Sequence, residues 1–183
     1  MVRTTDVDWL VLGYSLLREQ GHTALTIDTL CQIAGRTKGS FYHHHGSMQG
    51  FKQALLDKWR ADHTDRLINE TNAYAQPAKR RQVLDSLALQ LDARLECAIR
   101  NWAAHDPLAL EAMQQVDTQR IDYAARLHQE EHQCTADEAL RIALAGYAMY
   151  VGFLQLTGER EQRILREWGP RARIVFVDDN QTL

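Results

Sequence analysis

A chain of 183 residues, 45% hydrophobic and 25% charged, is long enough to bury a core and to join a small binding module to a larger body. Its aliphatic residues are mostly Leu and Ala, prolines number three, and β-branched residues rarely cluster, which disfavours sheet and predicts an all-α fold. Cys31, Cys97 and Cys134 stand far apart with no Cys-x-x-Cys pair, which argues against a disulfide framework or a cysteine zinc site and predicts a cytoplasmic setting, while the formal net charge of −3 makes the placement of charge matter more than its total.

Over residues 7–20 the apolar Trp9, Leu10, Gly13, Tyr14, Leu16 and Leu17 recur at helical spacing, with Asp6 as the expected cap and Gly21 as the stop. The run from Trp9 to Leu17 is interrupted by Gly13 and Ser15 and falls far short of a membrane span, so neither secretion nor membrane insertion is expected. Thr26 is a good N-cap for a second helix of about two turns, carrying Ile27, Leu30, Ile33 and Ala34 and closed by Gly35. Residues 36–45 are too few for an independent helix, yet Arg36, Thr37, Lys38, Ser40, Tyr42 and three histidines make them rich in hydrogen-bond donors. Ser47 caps a longer helix in which Phe51, Ala54, Leu55, Lys58 and Trp59 share a face, running towards Ile68, and Gln76-Pro77 breaks the pattern.

From residue 78 to about 104 the series Val83, Leu87, Leu91, Leu95, Ala98 and Trp102 predicts one long amphipathic helix, ended by His105-Asp106-Pro107. Further helices are expected over residues 107–133 and 136–156, the latter apolar on more than one side and so suited to burial against partners. A shorter helix is expected over residues 159–168, stopped by Gly169-Pro170, and the tail includes a strand-like Ile174-Val175-Phe176-Val177 with no evident partner strand.

Two short helices separated by a glycine-containing turn and flanked by longer ones form a helix-turn-helix pattern, whose second helix enters the DNA major groove. The charge is placed accordingly: the first 60 residues hold seven basic against five acidic side chains and four of the eight histidines, leaving the acidic excess to the rest. Gly39 lets backbone approach a phosphate, Lys38, Ser40, Tyr42, His43 and His44 supply donors, and Phe41 is expected to face inward onto Leu30 and Ile33.

The stretch from Leu25 to His44, with the ordered series Thr26, Leu30, Ala34-Gly35, Gly39, Phe41-Tyr42 and His44, resembles the N-terminal signature of regulators of the tetracycline-repressor (TetR) type. The similarity covers roughly residues 7–59, about a third of the chain. It implies a three-helix DNA-binding domain, here residues 1–46, and a helical effector-binding and dimerisation body, residues 47–183. It further implies that Thr26 and Tyr42 contact phosphates, that Lys38 and His44 contact phosphate or backbone, and that Thr37, Ser40 and His43 lie against base edges. Two positions depart from the family's pattern: His45 stands where an aromatic residue is usual, and Met48 where a lysine is usual. Met48 cannot neutralise a phosphate, so one backbone contact and part of the salt dependence are in question.

Within that body the expected effector pocket, for a small molecule whose identity the sequence does not specify, draws on Trp102, His105, Met113, Tyr123 and Tyr147, residues whose helical spacing first of all suits core or interface packing. The expected homodimer interface lies at about residues 136–168, where Gly146 and Gly152 permit close approach. The resemblance then implies a ligand-responsive repressor that binds a pseudo-palindromic double-stranded operator as a dimer, with effector binding lowering operator affinity.

Consecutive His43, His44 and His45 point in different directions from a helix and cannot close one metal sphere. His128, Glu131 and His132 match the H-x-x-E-H pattern of inverted zinc peptidases, the basis of an alternative reading as a metal-dependent hydrolase, but have polar neighbours and no recognisable third ligand. No phosphate-binding glycine loop, dinucleotide fingerprint or nucleophile elbow occurs, so neither catalysis nor a cofactor is expected. A helical protein-interaction adaptor is the other alternative, one in which Lys38 and Tyr42 are dispensable.

Overall fold

The structure is a computed structural model that describes residues 7–156, and among these residues the fold is all-helical, with no strand. The residues expected to form a helix at 159–168 and a strand-like tetrapeptide at 174–177 lie outside the described ones. No described helix is long and apolar enough to cross a membrane.

Helix α1 (Trp9–Gln20) is capped by Asp8, not Asp6: its carboxylate accepts from the N–H groups of Leu10 and Val11 at 3.0 and 3.1 Å. The helix ends at Gly21, whose φ of +78° is a backbone state that favours glycine. Helix α2 (Ile27–Ala34) starts as its sequence predicts, Thr26 Oγ1 accepting from the Thr29 N–H at 3.1 Å, and stops at Gly35 in the left-handed region. Residues 38–45 do form a helix, α3 (Lys38–His45), because both ends are held: Thr37 accepts from the Ser40 N–H at 3.3 Å, and the Gly46 N–H donates to Tyr42 O at 2.9 Å. Ser47 caps α4 (Met48–Arg60), which continues through a π-helical turn at Ala61–Asp65 into α5 (Arg66–Asn72).

The single helix expected at residues 78–104 is two, α6 (Pro77–Ala88) and α7 (Ala93–Ala103). No Gly or Pro marks the break. The last turn of α6 instead tightens into i to i+3 bonds, Gln90 N–H to Leu87 O and Leu91 N–H to Ala88 O, and the chain leaves the helix with Leu89 and Gln90 exposed. Helices α8 (Pro107–His132) and α9 (Ala136–Leu154) match expectation closely, α9 opening on a reciprocal capping box between Thr135 and Glu138.

The chain divides into two units, one built on the residues up to Ala61 with Arg94–Gln114, the other on Asp62–Ala93 with the residues from Gln115 on. In the first, Trp9, Leu16, Leu17, Leu30, Phe41, Phe51, Leu55, Trp59, Leu95, Ile99 and Trp102 form the buried core. Helices α1 and α4 meet at Gly13, where an added Cβ would lie 2.8 Å from Phe51 Cζ and 3.0 Å from Leu55 Cδ1. The Tyr14 hydroxyl donates to Leu55 O at 3.3 Å, and the Trp59 indole N–H donates to the fully buried Glu96 at 2.8 Å. In the second unit Leu67, Val116, Tyr123, Leu127, Ala139 and Ala143 are buried. There the Arg120 guanidinium donates to Thr64 Oγ1 and the His63 carbonyl, both in the π-helical turn, at 2.9 and 3.1 Å.

Candidate nucleic-acid interface

Eight residues make up α3, and among them Ser40 and His45 are half-buried while Phe41 is fully buried. It packs edge-on to Trp9 of α1 at 5.5 Å between ring centroids and against Phe51 of α4 at 5.4 Å, so one aromatic side chain anchors the helix to both neighbours. Lys38, Gly39, Tyr42, His43 and His44 are exposed, and Ser40 is half-buried. An isolated helix this short is unstable in water. Its two capped ends and the Phe41 anchor therefore hold in place a surface that is otherwise almost entirely polar.

The expected contact residues are each placed by a local device. Thr26 and Thr37 are exposed N-caps of α2 and α3, their hydroxyl oxygens already accepting one backbone N–H each. Their C–O groups stand beside the free N–H groups of a helix start, the arrangement that receives a phosphate. At Gly39 an added Cβ would meet, among the described residues, only Thr37 Oγ1, at 3.7 Å, so their packing does not require glycine there. Lys38 is paired with Asp28 of α2 at 2.5 Å, both side chains well exposed. The hydrogen bond from Asp28, then its charge, raise the lysine's pKa and keep it cationic.

Ile33 was expected beneath Phe41 but is 53% exposed. Leu30 and Cys31 are the buried residues of α2, with Ile27 and Ala34 half-buried beside them. Positions 27, 30, 31 and 34 trace one helical face, and position 33 falls off it. Ile33 and Gln32 instead join the exposed surface of α2, as does Asp28.

The five expected effector-pocket residues are divided between the units. Trp102 is buried in the first, with the Lys52 ammonium 5.8 Å from its ring centroid, and Met113 is half-buried there. His105, in the same unit, is exposed, stacks on His22 at 5.0 Å, and donates from Nδ1 to the Asn101 carbonyl at 2.9 Å. Tyr123 and Tyr147 belong to the second unit: the Tyr123 hydroxyl donates to Asn72 Oδ1 at 2.8 Å and that of Tyr147 to Asp117 Oδ1 at 2.6 Å, with Arg120 donating to the Tyr147 oxygen. The rings of His128 and His132 lie one turn apart, 4.4 Å between centroids and tilted by 36°, with Glu131 3.7 Å from His132. Among the described residues no group of three or more His, Cys, Asp or Glu side chains is disposed to hold a metal ion.

Compared with models of known protein families and with characterised proteins, the chain matches none.

Proposed function

We propose that this protein is a DNA-binding transcriptional regulator, similar in plan to the TetR-type repressors that residues 25–44 resemble, and that α3 reads the major groove of a double-stranded operator. The observation that carries the reading is α3 itself: a capped, eight-residue helix anchored by fully buried Phe41 that turns Lys38, Tyr42, His43 and His44 outward. Thr26, Tyr42, Lys38 and His44 meet the phosphate backbone, while Thr37, Ser40 and His43 face base edges.

The protein acts as a homodimer, bringing two copies of α3 to the half-sites of a pseudo-palindrome. Support comes from α9, where exposed Leu140, Leu144, Ala148 and Gly152 recur every fourth residue as an apolar stripe. A small-molecule effector lowers operator affinity through a coupling of about 1–3 kcal/mol, the usual size for such linkage. The protein is neither an enzyme nor a membrane partner on this reading, and it works in the cytoplasm.

Fluorescence anisotropy on the DNA upstream of its own gene, at two salt concentrations, tests the reading. Saturable binding that outcompetes random DNA and weakens in Lys38→Ala and Tyr42→Phe is expected; weak binding to every DNA, unchanged in both variants, would overturn it and favour the adaptor alternative.

A further inference from the structure

His45 closes the last turn of α3, half-buried, with one side of its ring set against aromatic side chains. Its centroid lies 5.0 Å from that of Phe51 at an interplanar angle of 76°, 5.3 Å from Phe41 and 6.4 Å from Trp9. These three rings come from α4, α3 and α1 and are nearly or wholly buried. The Nε2 atom is itself buried and has no hydrogen-bond partner among the described residues.

A neutral imidazole tolerates this setting, because its unprotonated nitrogen can occupy the Nε2 position as an idle acceptor. An imidazolium does not, since both of its N–H groups need acceptors and its charge needs solvent. The groups that meet it from α1 and α4, Trp9 and Phe51, carry no charge. The titratable neighbour is His44 on its own helix, 6.3 Å away, which repels a second positive charge once protonated. Burial first, and His44 second, lower the pKa of His45 below its ordinary value.

We propose that His45 is a proton-sensitive pin on the recognition helix: neutral, it holds α3 against α1 and α4, and protonated, it leaves the aromatic nest and loosens α3. The consequence for DNA rests on the function proposed above, under which acidification weakens the operator complex. The sign follows from linkage. The unfolded chain takes up the proton near the ordinary value of 6.5, before the folded one does. Stability is thus complete above that value and declines as the pH falls through it towards the folded value, by up to about tenfold in the folding equilibrium at about pH 5.5. Exposed His43 and His44 also lie on the surface proposed to meet phosphates, so the response of the unmodified protein alone does not isolate His45.

The test compares the full chain with His45→Phe, a ring that suits an aromatic nest. Thermal denaturation between about pH 8 and 5 is expected to show the unmodified protein losing more of its Tm than the variant, the two curves separating below about 6.5. NMR of the unmodified protein, following the His45 ring protons together with hydrogen exchange of the α3 amides, is expected to show α3 opening as His45 titrates, and it needs no variant to fold. Anisotropy at about pH 7.5 and 5.5 then gives the ratio of operator affinities, expected to move against the unmodified protein on acidification. Parallel Tm profiles, or a protein that gains on its variant as the pH falls, would overturn the pin. Absence of DNA binding at every pH would remove the regulator reading alone, since Tm and hydrogen exchange still decide the role of His45.

Discussion

The Lys38 ammonium lies 2.5 Å from the Asp28 carboxylate, tying the first turn of α3 to the first turn of α2. Under the proposed function, the lysine that would meet a phosphate is thus held by an anion of the same protein, and DNA would have to compete for it. Asp28→Asn is expected to raise affinity for every DNA sequence a few-fold, since it frees Lys38 and removes a negative charge from the docking surface. Lys38→Ala is expected to weaken binding evenly across sequences and to reduce the slope of log affinity against log salt by about 1. Salt titrations of both variants and of the double variant check this. If Asp28→Asn raises affinity as much without Lys38 as with it, the pair is not what restrains the lysine.

The two glycines facing opposite demands separate folding from recognition. At Gly13 a methyl group would enter the buried contact of α1 with Phe51 and Leu55 at 2.8 and 3.0 Å, so the fully buried Phe51 ring would have to shift. Gly13→Ala is expected to cost about 1–3 kcal/mol, the usual range for overpacking a core. At Gly39 the same methyl group meets, among the described residues, only Thr37 Oγ1 at 3.7 Å. Gly39→Ala is expected to leave stability unchanged or raise it by up to about 1 kcal/mol, while DNA binding weakens because the Cβ occupies space the phosphate backbone needs. Urea unfolding and anisotropy on the same two variants read both effects; a Gly39→Ala protein that binds operator normally would remove the close backbone approach from the proposal.

Acid acts on a second site in the same unit. Burial tends to raise the pKa of Asp106, but hydrogen bonds from Lys52, Trp102 and the Ala109 N–H, with the Lys52 charge, outweigh it and hold the carboxyl below its ordinary value. The Lys52 contact is 2.6 Å, with both side chains largely buried. A carboxyl with a depressed folded pKa contributes stability above its unfolded pKa and loses that contribution as the pH falls through the folded one. Lys52→Met is therefore expected to lower Tm at neutral pH, with the gap to the unmodified protein closing in the acidic range where Asp106 is protonated. Equal gaps at neutral and acidic pH would show that the loss comes from Lys52 packing on Trp102 and not from the ion pair.

Local signals in the sequence account for most helix ends. Thr26, Gly35, Ser47 and Pro107 stop or start helices where their chemistry requires, and Phe41 is legible as the anchor because it is the one large apolar residue in a polar run apart from Tyr42. The break between α6 and α7 was not legible, since Leu89-Gln90-Leu91-Asp92 contains no helix breaker and the apolar stripe runs on across it. The π-helical turn at Ala61–Asp65 leaves the helical pattern intact for the same reason and is visible only in the hydrogen bonds. The outward turn of Ile33 could have been read from the face defined by 27, 30, 31 and 34, but hydrophobicity alone argued for the core. Pairings that join two helices, Asp28 with Lys38 and His45 with Trp9 and Phe51, have no signature in spacing and needed the fold.

Leu140 and Leu144 are 44% and 52% exposed on one face of α9, a cost in apolar surface that a second copy of the chain would remove. The stripe continues through exposed Ala148 and Gly152, and among the described residues an added Cβ at Gly152 would meet nothing within 4 Å, which leaves room for a partner helix. Leu144→Glu places a charge on this stripe without touching the core of its own unit. In the proposed dimer that charge and its symmetry mate are buried near each other, whereas in a monomer it stands in water. Light scattering coupled to size exclusion is expected to show the unmodified protein as a dimer and Leu144→Glu as a monomer with an unchanged helical circular-dichroism spectrum. Operator affinity is expected to fall by at least about tenfold, because one head must then bind without the effective concentration supplied by its partner. A Leu144→Glu protein that stays dimeric would move the interface off this stripe and onto another surface.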